Sequence, residues 1–192
     1  MPLDQDLKLT LASIGGALES IGVTWAIGGS FASTIHGEPR STNDIDVVAR
    51  LAARDARRLV VALGDDFYAD ESMIAEAIAA NESFNVIDQR TFLKVDVFVP
   101  RPGPLGEDQL IRRQAYTLLD GPALYVLGPE DTALQKLRWY QLTGETSDRQ
   151  WRDIMGVLRV TRDVDAAYMR DVANRTGLSV LLERALLEAT AH

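Results

Sequence analysis

The chain contains no cysteine. Disulfides and thiolate metal sites are therefore excluded. Histidine is almost as scarce: only His36 and His192 are present, too few for a histidine-based metal centre. Any metal must be bound mainly by oxygen, which favours hard cations such as Mg²⁺ or Mn²⁺. No stretch approaches the ~18 uninterrupted apolar residues that suggest a membrane span. The opening MPLDQDLKLT lacks the basic-then-apolar pattern of a secretory signal. A cytoplasmic protein with no membrane partner is expected. A basic excess is missing too: 20 Lys and Arg against 28 Asp and Glu leave a net charge of −8. That balance argues against a general nucleic-acid coat. Arginines do cluster late, in RRQAY and SDRQWRDIMGVLRVTR, so a local basic groove stays open.

What is present is ordinary for a globular protein: 192 residues, 46% hydrophobic and 25% charged. The length suits one domain, or a compact domain with a helical appendage. Leu7, Leu11, Ile14 and Leu18 recur at helical spacing before Gly22. TWAIGG reads as a short buried strand ending in glycine, SFASTIHG as a short helix, and DIDVVA as a strand with one polar face. ARDARRLVVALG and ESMIAEAIAA read as helices. SFNVID and TFLKVDVFV read as strands, and AYTLLDGPALYVL as a hairpin turning at Asp120–Gly121. From Pro129, which suits a first helical position, the pattern is helical to the end, with Ser147 and Gln150 fitting a capping box. The expected fold is mixed α/β (α+β): a core over 1–126 and a C-terminal helical bundle over 127–192 packed on it.

Chemistry concentrates in GGSFASTIHGEPRSTNDIDVV, from Gly28 to Val48. Asp44 and Asp46 are two apart on an expected strand, so both would leave the same face, ~6–7 Å apart. Like charges repel, and a cation between them resolves the conflict. Asp96 interrupts the apolar run of FLKVDVFV, against both strand propensity and burial. If its strand lies beside that of Asp44 and Asp46, three carboxylates converge. Such a set can hold two Mg²⁺ ions ~3.5–4 Å apart for an in-line phosphoryl displacement. Gly28 and Gly29 let the backbone turn sharply and approach a ligand. The Ser30 N–H and the helix start suit phosphate oxygens, and the Ser30 hydroxyl adds a donor. Each piece also has a plainer reading: Gly-Gly-Ser as a turn, Asp-x-Asp as a solvated strand face, and Asp96 as a salt-bridge partner of Lys94. Their ordered conjunction is stronger than its parts.

That conjunction resembles the DNA polymerase β-type nucleotidyltransferases. Within them it looks most like the bacterial minimal and AbiEii-like toxin nucleotidyltransferases. The resemblance spans AIGGSFASTIHGEPRSTNDIDVV, FLKVDVFV and PEDTALQKLRWYQLTGETSDRQWRDI. It implies that Gly28, Gly29 and Ser30 contact a triphosphate and that Asp44, Asp46 and Asp96 bind Mg²⁺ or Mn²⁺. Asp96 would also act as base toward an acceptor hydroxyl. A helical lysine and a later basic-Asp pair match Lys136 and Arg152–Asp153. Without the resemblance, Lys136 reads as a side chain snorkelling beside Leu134 and Leu137, and Asp153 as an i,i+4 partner of Arg149. Replacing Lys136 with Ala is expected to weaken nucleotide binding with little loss of stability. Thirteen residues separate Ser30 from Asp44, a longer gap than in the compact relatives, and the excess brings Arg40, Ser41 and Thr42 beside the acids. Arg40 would bind phosphate or neutralise the acid cluster, while His36 reads as structural.

The activity so implied is an EC 2.7.7-type transfer of a nucleoside monophosphate from a triphosphate to a hydroxyl. The acceptor would be tRNA, a protein side chain or a small molecule, and a cognate antitoxin is an expected partner. The competing reading is a non-catalytic nucleotide-binding or toxin–antitoxin interaction module that keeps the fold. The presence of all three carboxylates favours activity.

Overall fold

The computed structural model describes residues 4–38, 44–117 and 123–191. In chain order the elements are α1 (Gln5–Ser20), β1 (Trp25–Ile27), α2 (Gly29–His36), β2 (Ile45–Ala49) and α3 (Asp55–Leu63). After these come β3 (Phe67–Tyr68), α4 (Glu71–Ala80), β4 (Ser83–Asp88), β5 (Lys94–Phe98), β6 (Gln114–Thr117) and β7 (Ala123–Val126). The chain then continues through α5 (Pro129–Leu142), α6 (Asp148–Val160), α7 (Ala166–Thr176) and α8 (Ser179–Thr190). A 3₁₀ turn at Glu107–Arg112 precedes β6. The fold is mixed α/β, as the pattern predicts, and β3 is a two-residue strand that the pattern does not reveal. The Asp120–Gly121 turn lies outside the described residues.

The seven strands form one mixed sheet in the order β3-β4-β5-β2-β1-β7-β6. Strand β2 is central, antiparallel to β1 and parallel to β5. Alternation along β2 and β5 sorts their side chains. Ile45, Val47, Val95 and Val97 join the main core with Leu11, Ile14 and Leu18 of α1 and Leu59 of α3. The intervening residues Asp46, Val48, Asp96 and Phe98 face the other side. There Val48 packs with Ala26, Leu110 and Leu127. The polar face expected of DIDVVA is therefore real, but Asp44 falls one residue before the strand and is exposed.

Helices α5 to α8 bury a second apolar cluster, built around Leu134, Leu137, Ile154, Met169 and Leu182. They meet the sheet layer through α2, which packs on both α5 and α6. At one crossing a Cβ on Gly37 would come within 2.7 Å of the Gly156 carbonyl carbon, so the two backbones touch. His36 is buried, and its Nε2–H donates to the Leu127 carbonyl at 2.7 Å. Burial lowers its pKa, consistent with a structural pin.

Pro129 occupies the first turn of α5, as its fixed φ favours, and Ser147 caps α6 by accepting from the Gln150 N–H. Glu130 and Asp131 follow Pro129 and are buried. The Tyr168 hydroxyl donates to Asp131 at 2.6 Å, and the Arg112 guanidinium lies 4.0 Å above the Tyr168 ring centroid. Arg112 also lies 3.5 Å from Glu130 and 3.8 Å from Asp165. This knot fixes the start of the helix that carries Lys136.

Burial pushes the Asp131 carboxyl from its ordinary 3.8 up to about 6, with Glu130 adding to the rise and Tyr168 and Arg112 opposing it. The native state thus holds the proton more tightly than the unfolded chain. The group's stabilisation is complete below pH 3.8 and is lost as pH rises to about 6. It amounts to roughly 3 kcal/mol. Melting temperature measured from pH 3.5 to 7 should show this loss in the parent, and Asp131→Asn should lack that component. Parallel curves for the two proteins would refute it.

Candidate active site

Asp46 on β2 stands directly opposite Asp96 on β5 in parallel register. Neighbouring strands lie ~4.8 Å apart, so the two carboxylates share one patch of sheet. Burial raises the Asp46 pKa, the Asp96 charge raises it further, and Asp44 adds a smaller push. The Ser30 backbone N–H, which donates to the Asp46 carboxylate, works the other way. The register of Asp46 opposite Asp96 brings two of the three expected acids together. Asp44 acts on Asp46 from the strand entrance.

The strand exit before α2 is tied to the same carboxylate. The Gly28 N–H donates to the Asp46 carbonyl at 2.9 Å. Gly29 has φ +54°, and a Cβ there would fall 1.7 Å from Asp46 Oδ2. The sequence suggests that Gly29 leaves room for a ligand. The space it leaves is taken first by the side chain of Asp46, so glycine is needed to let the acid lie against the start of α2. Ser30 follows in the first turn, and Arg149 Nη2 on α6 reaches its Oγ at 3.5 Å.

Two lysines complete the charge pattern. Lys94 Nζ lies 2.8 Å from Asp96 Oδ2, which raises the lysine pKa. Lys136 Nζ lies 2.8 Å from Asp153 Oδ2, with both side chains buried. Lys136 is thus no snorkelling surface residue, and Asp153 bonds across to α5 rather than only along its own helix. The ammonium also acts on Asp46 from α5, so the two helices present one charge pair to the acid face. Arg40, Ser41 and Thr42, expected beside the acids, lie outside the described residues.

Between these groups lies a cavity of about 370 Å³. Gly28, Gly29, Ser30, Asp46 and Lys136 line it, and so do Thr132, Gln135 and Trp139 of α5 and Gln150 of α6. The α5 residues fall at positions i, i+3, i+4 and i+7, one helical face. Thr132, Gln135, Trp139 and Gln150 carry no motif of their own. The signal that finds them is helical spacing from Lys136, together with the α5–α6 pairing that only the fold reveals.

The donor set at Asp46 and Asp96 is hard oxygen at crowded negative charge, which fits Mg²⁺ or Mn²⁺. Among the described residues no three His, Cys, Asp or Glu side chains are gathered into a ready metal cage. The fit therefore rests on the Asp46–Asp96 pair, with Lys94 in the place a cation would contest.

Three solved structures resemble the fold. An antigenic nucleotidyltransferase-like protein from Paracoccidioides brasiliensis matches 97% of this chain over 94% of its own, with 19% identity and a TM-score of 0.53. The antibiotic-resistance factor ANT(2'')-Ia matches 96% of this chain over 98% of its own, at 12% identity and TM-score 0.53. The shared fold is that of the nucleotidyltransferases. The lincosamide antibiotic adenylyltransferase LnuA, solved with lincomycin, covers 83% of this chain and 98% of its own, at 11% identity and TM-score 0.50. No protein-family model and no curated protein sequence matches the chain. Among the described residues no helix is long and apolar enough to cross a membrane.

The buried Lys136–Asp153 pair changes the expectation for Lys136→Ala. Removing the ammonium from a buried carboxylate costs about 3–5 kcal/mol. Chemical denaturation of the single variant should show that loss. The double variant Lys136→Met/Asp153→Leu should recover most of it. Equal stabilities of Lys136→Ala and the parent would show that the pair is solvated in solution.

Proposed function

We propose that the chain is a divalent-cation-dependent nucleotidyltransferase, moving a nucleoside monophosphate from a triphosphate to a hydroxyl acceptor. The observation that carries this reading is the register of Asp46 opposite Asp96, with the start of α2 packed against Asp46. The positive end of α2, the Ser30 hydroxyl, Arg149 and Lys136 supply complementary charge for the triphosphate. Asp46 and Asp96 would hold Mg²⁺ or Mn²⁺, with Asp44 adding an oxygen from the strand entrance. When bound, that cation neutralises phosphate charge and stabilises the leaving oxygen.

In the transfer, the acceptor oxygen bonds to the α-phosphorus as the bond from that phosphorus to the β-phosphate bridging oxygen breaks. Pyrophosphate leaves with the bonding electrons, and Asp96 takes the hydroxyl proton. For Asp96 to act as base, its bridge to Lys94 must open. The acceptor is a hydroxyl of tRNA, a protein side chain or a small molecule. The likeness to antibiotic-modifying folds lends support to the last.

A second reading draws support from the ion pairs. Lys94–Asp96 and Lys136–Asp153 offset part of the site's charge without any ligand, as a non-catalytic module in a toxin–antitoxin pair would require. Calorimetry with Mg²⁺-ATP separates the two, since the module reading is favoured by the absence of binding heat.

Transfer is tested by incubating the protein with each α-labelled triphosphate and cell lysate, then separating RNA, protein and small molecules. Label should appear in one fraction, and Asp46→Asn should abolish it. That variant should melt at or above the parent temperature in metal-free buffer, because it removes a charge that burial and Asp96 both disfavour. Undiminished transfer by Asp46→Asn would overturn the assignment. A large fall in melting temperature would make Asp46 structural.

A further inference from the structure

The cavity wall beyond Lys136 holds two features that phosphate binding does not use. Trp139 lies three residues further along α5, ~4.5 Å up the helix axis. It remains 48% exposed and lines the cavity. Its neighbour Tyr140 turns to pack on Trp151, with ring centroids 5.1 Å apart. The contacts Lys136–Asp153 and Tyr140–Trp151 run α5 and α6 antiparallel, so Trp139 and Gln150 fall at the same level. The second feature is Gln150 itself. Its Oε1 is buried in the cavity wall and accepts no hydrogen bond among the described residues. A buried carbonyl oxygen without a donor is disfavoured, so such a group calls for a donor from a ligand.

Among the described residues lining the cavity, the ionisable side chains are Asp46 and Lys136 alone. Both belong to the phosphate and cation end. The Trp139 end therefore suits an uncharged, flat group that stacks on an indole and offers an N–H to an amide oxygen. Base–aromatic stacking is strong and tolerant of base identity, whereas an amide oxygen discriminates by what faces it.

We propose that Trp139 and Gln150 form a nucleobase subsite that selects a base with an exocyclic amino group, adenine or cytosine, over its keto counterpart. The inference rests on the nucleotidyltransferase reading above. Trp139 supplies the stacking plane and Gln150 Oε1 accepts from the amine. In this amide orientation a keto oxygen would set two acceptors against each other, and it could be met only by turning the amide over. Gln150 holds its helix through its backbone N–H, which donates to Ser147 Oγ, so its side chain is replaceable without loss of the cap.

Calorimetry with Mg²⁺ and three probes tests this: ATP, inosine triphosphate, in which a keto oxygen replaces the adenine amine, and inorganic tripolyphosphate. The parent should bind ATP at least tenfold more tightly than inosine triphosphate. Gln150→Leu should erase that ratio and leave tripolyphosphate affinity unchanged, while Gln150→Glu, which keeps an acceptor oxygen, should retain it. Trp139→Ala should weaken both nucleotides but not tripolyphosphate. Equal affinity of the parent for the two nucleotides would overturn the proposal. So would a loss of tripolyphosphate binding in Gln150→Leu matching its loss of ATP, which would make Gln150 a phosphate contact. Failure of all three probes to bind the parent would remove the nucleotidyltransferase reading and this subsite with it. Binding of tripolyphosphate without preference between nucleotides would remove the subsite alone.

Discussion

Everything at this site depends on the repulsion between Asp46 and Asp96, held opposite each other by the register of two parallel strands. A central pair of strands is an expensive place for two carboxylates. The backbone fixes their spacing, and neither side chain can withdraw far without breaking the ladder. The surroundings answer that strain in three ways. The Ser30 N–H bonds to one acid, Lys94 binds the other, and Lys136 approaches from the helical layer. The first two hold the acids in place, and the third brings a helix whose position is set elsewhere.

That helix is located by its far end. The Glu130, Asp131, Arg112 and Tyr168 knot buries several charges for the sake of a fixed starting point. From there one face of α5 delivers Thr132, Gln135, Lys136 and Trp139 to the cavity in succession. The buried Lys136–Asp153 pair then locks α5 to α6, which brings Arg149 to Ser30 and Gln150 to the cavity wall. The groups proposed to face phosphate and base thus come from a single helix–helix register.

Much of this was legible in the residues. Period-two alternation marked Asp46 and Asp96 as residents of apolar strands, and the hydrophobic stripe of α1 was buried as its spacing required. Pro129 and Ser147 began α5 and α6 as their chemistry predicts. Asp44 was read one position too far into its strand, because alternation continues past the last ladder hydrogen bond. Lys136 and Asp153 were matched to the site by motif, and local spacing alone would have left them on the surface. Local spacing offers each a neighbour on its own helix, while their bond joins residues seventeen apart. Gln150 and Trp139 were illegible because an orphaned oxygen and a half-covered ring exist only once the cavity does.

The contact between α2 and α6 has a consequence for how such a protein could be divided or recombined. Gly37 and Gly156 allow backbone to lie on backbone, and His36 is fastened to the carbonyl of Leu127, one residue beyond the last strand. The helix that would grip phosphate is therefore clamped on its outer side by a helix more than a hundred residues later in the chain. The sheet layer by itself would carry the acids but would lack the support that aims α2. Until α6 is in place, α2 lacks that outer support, whatever the sheet beneath it has already formed.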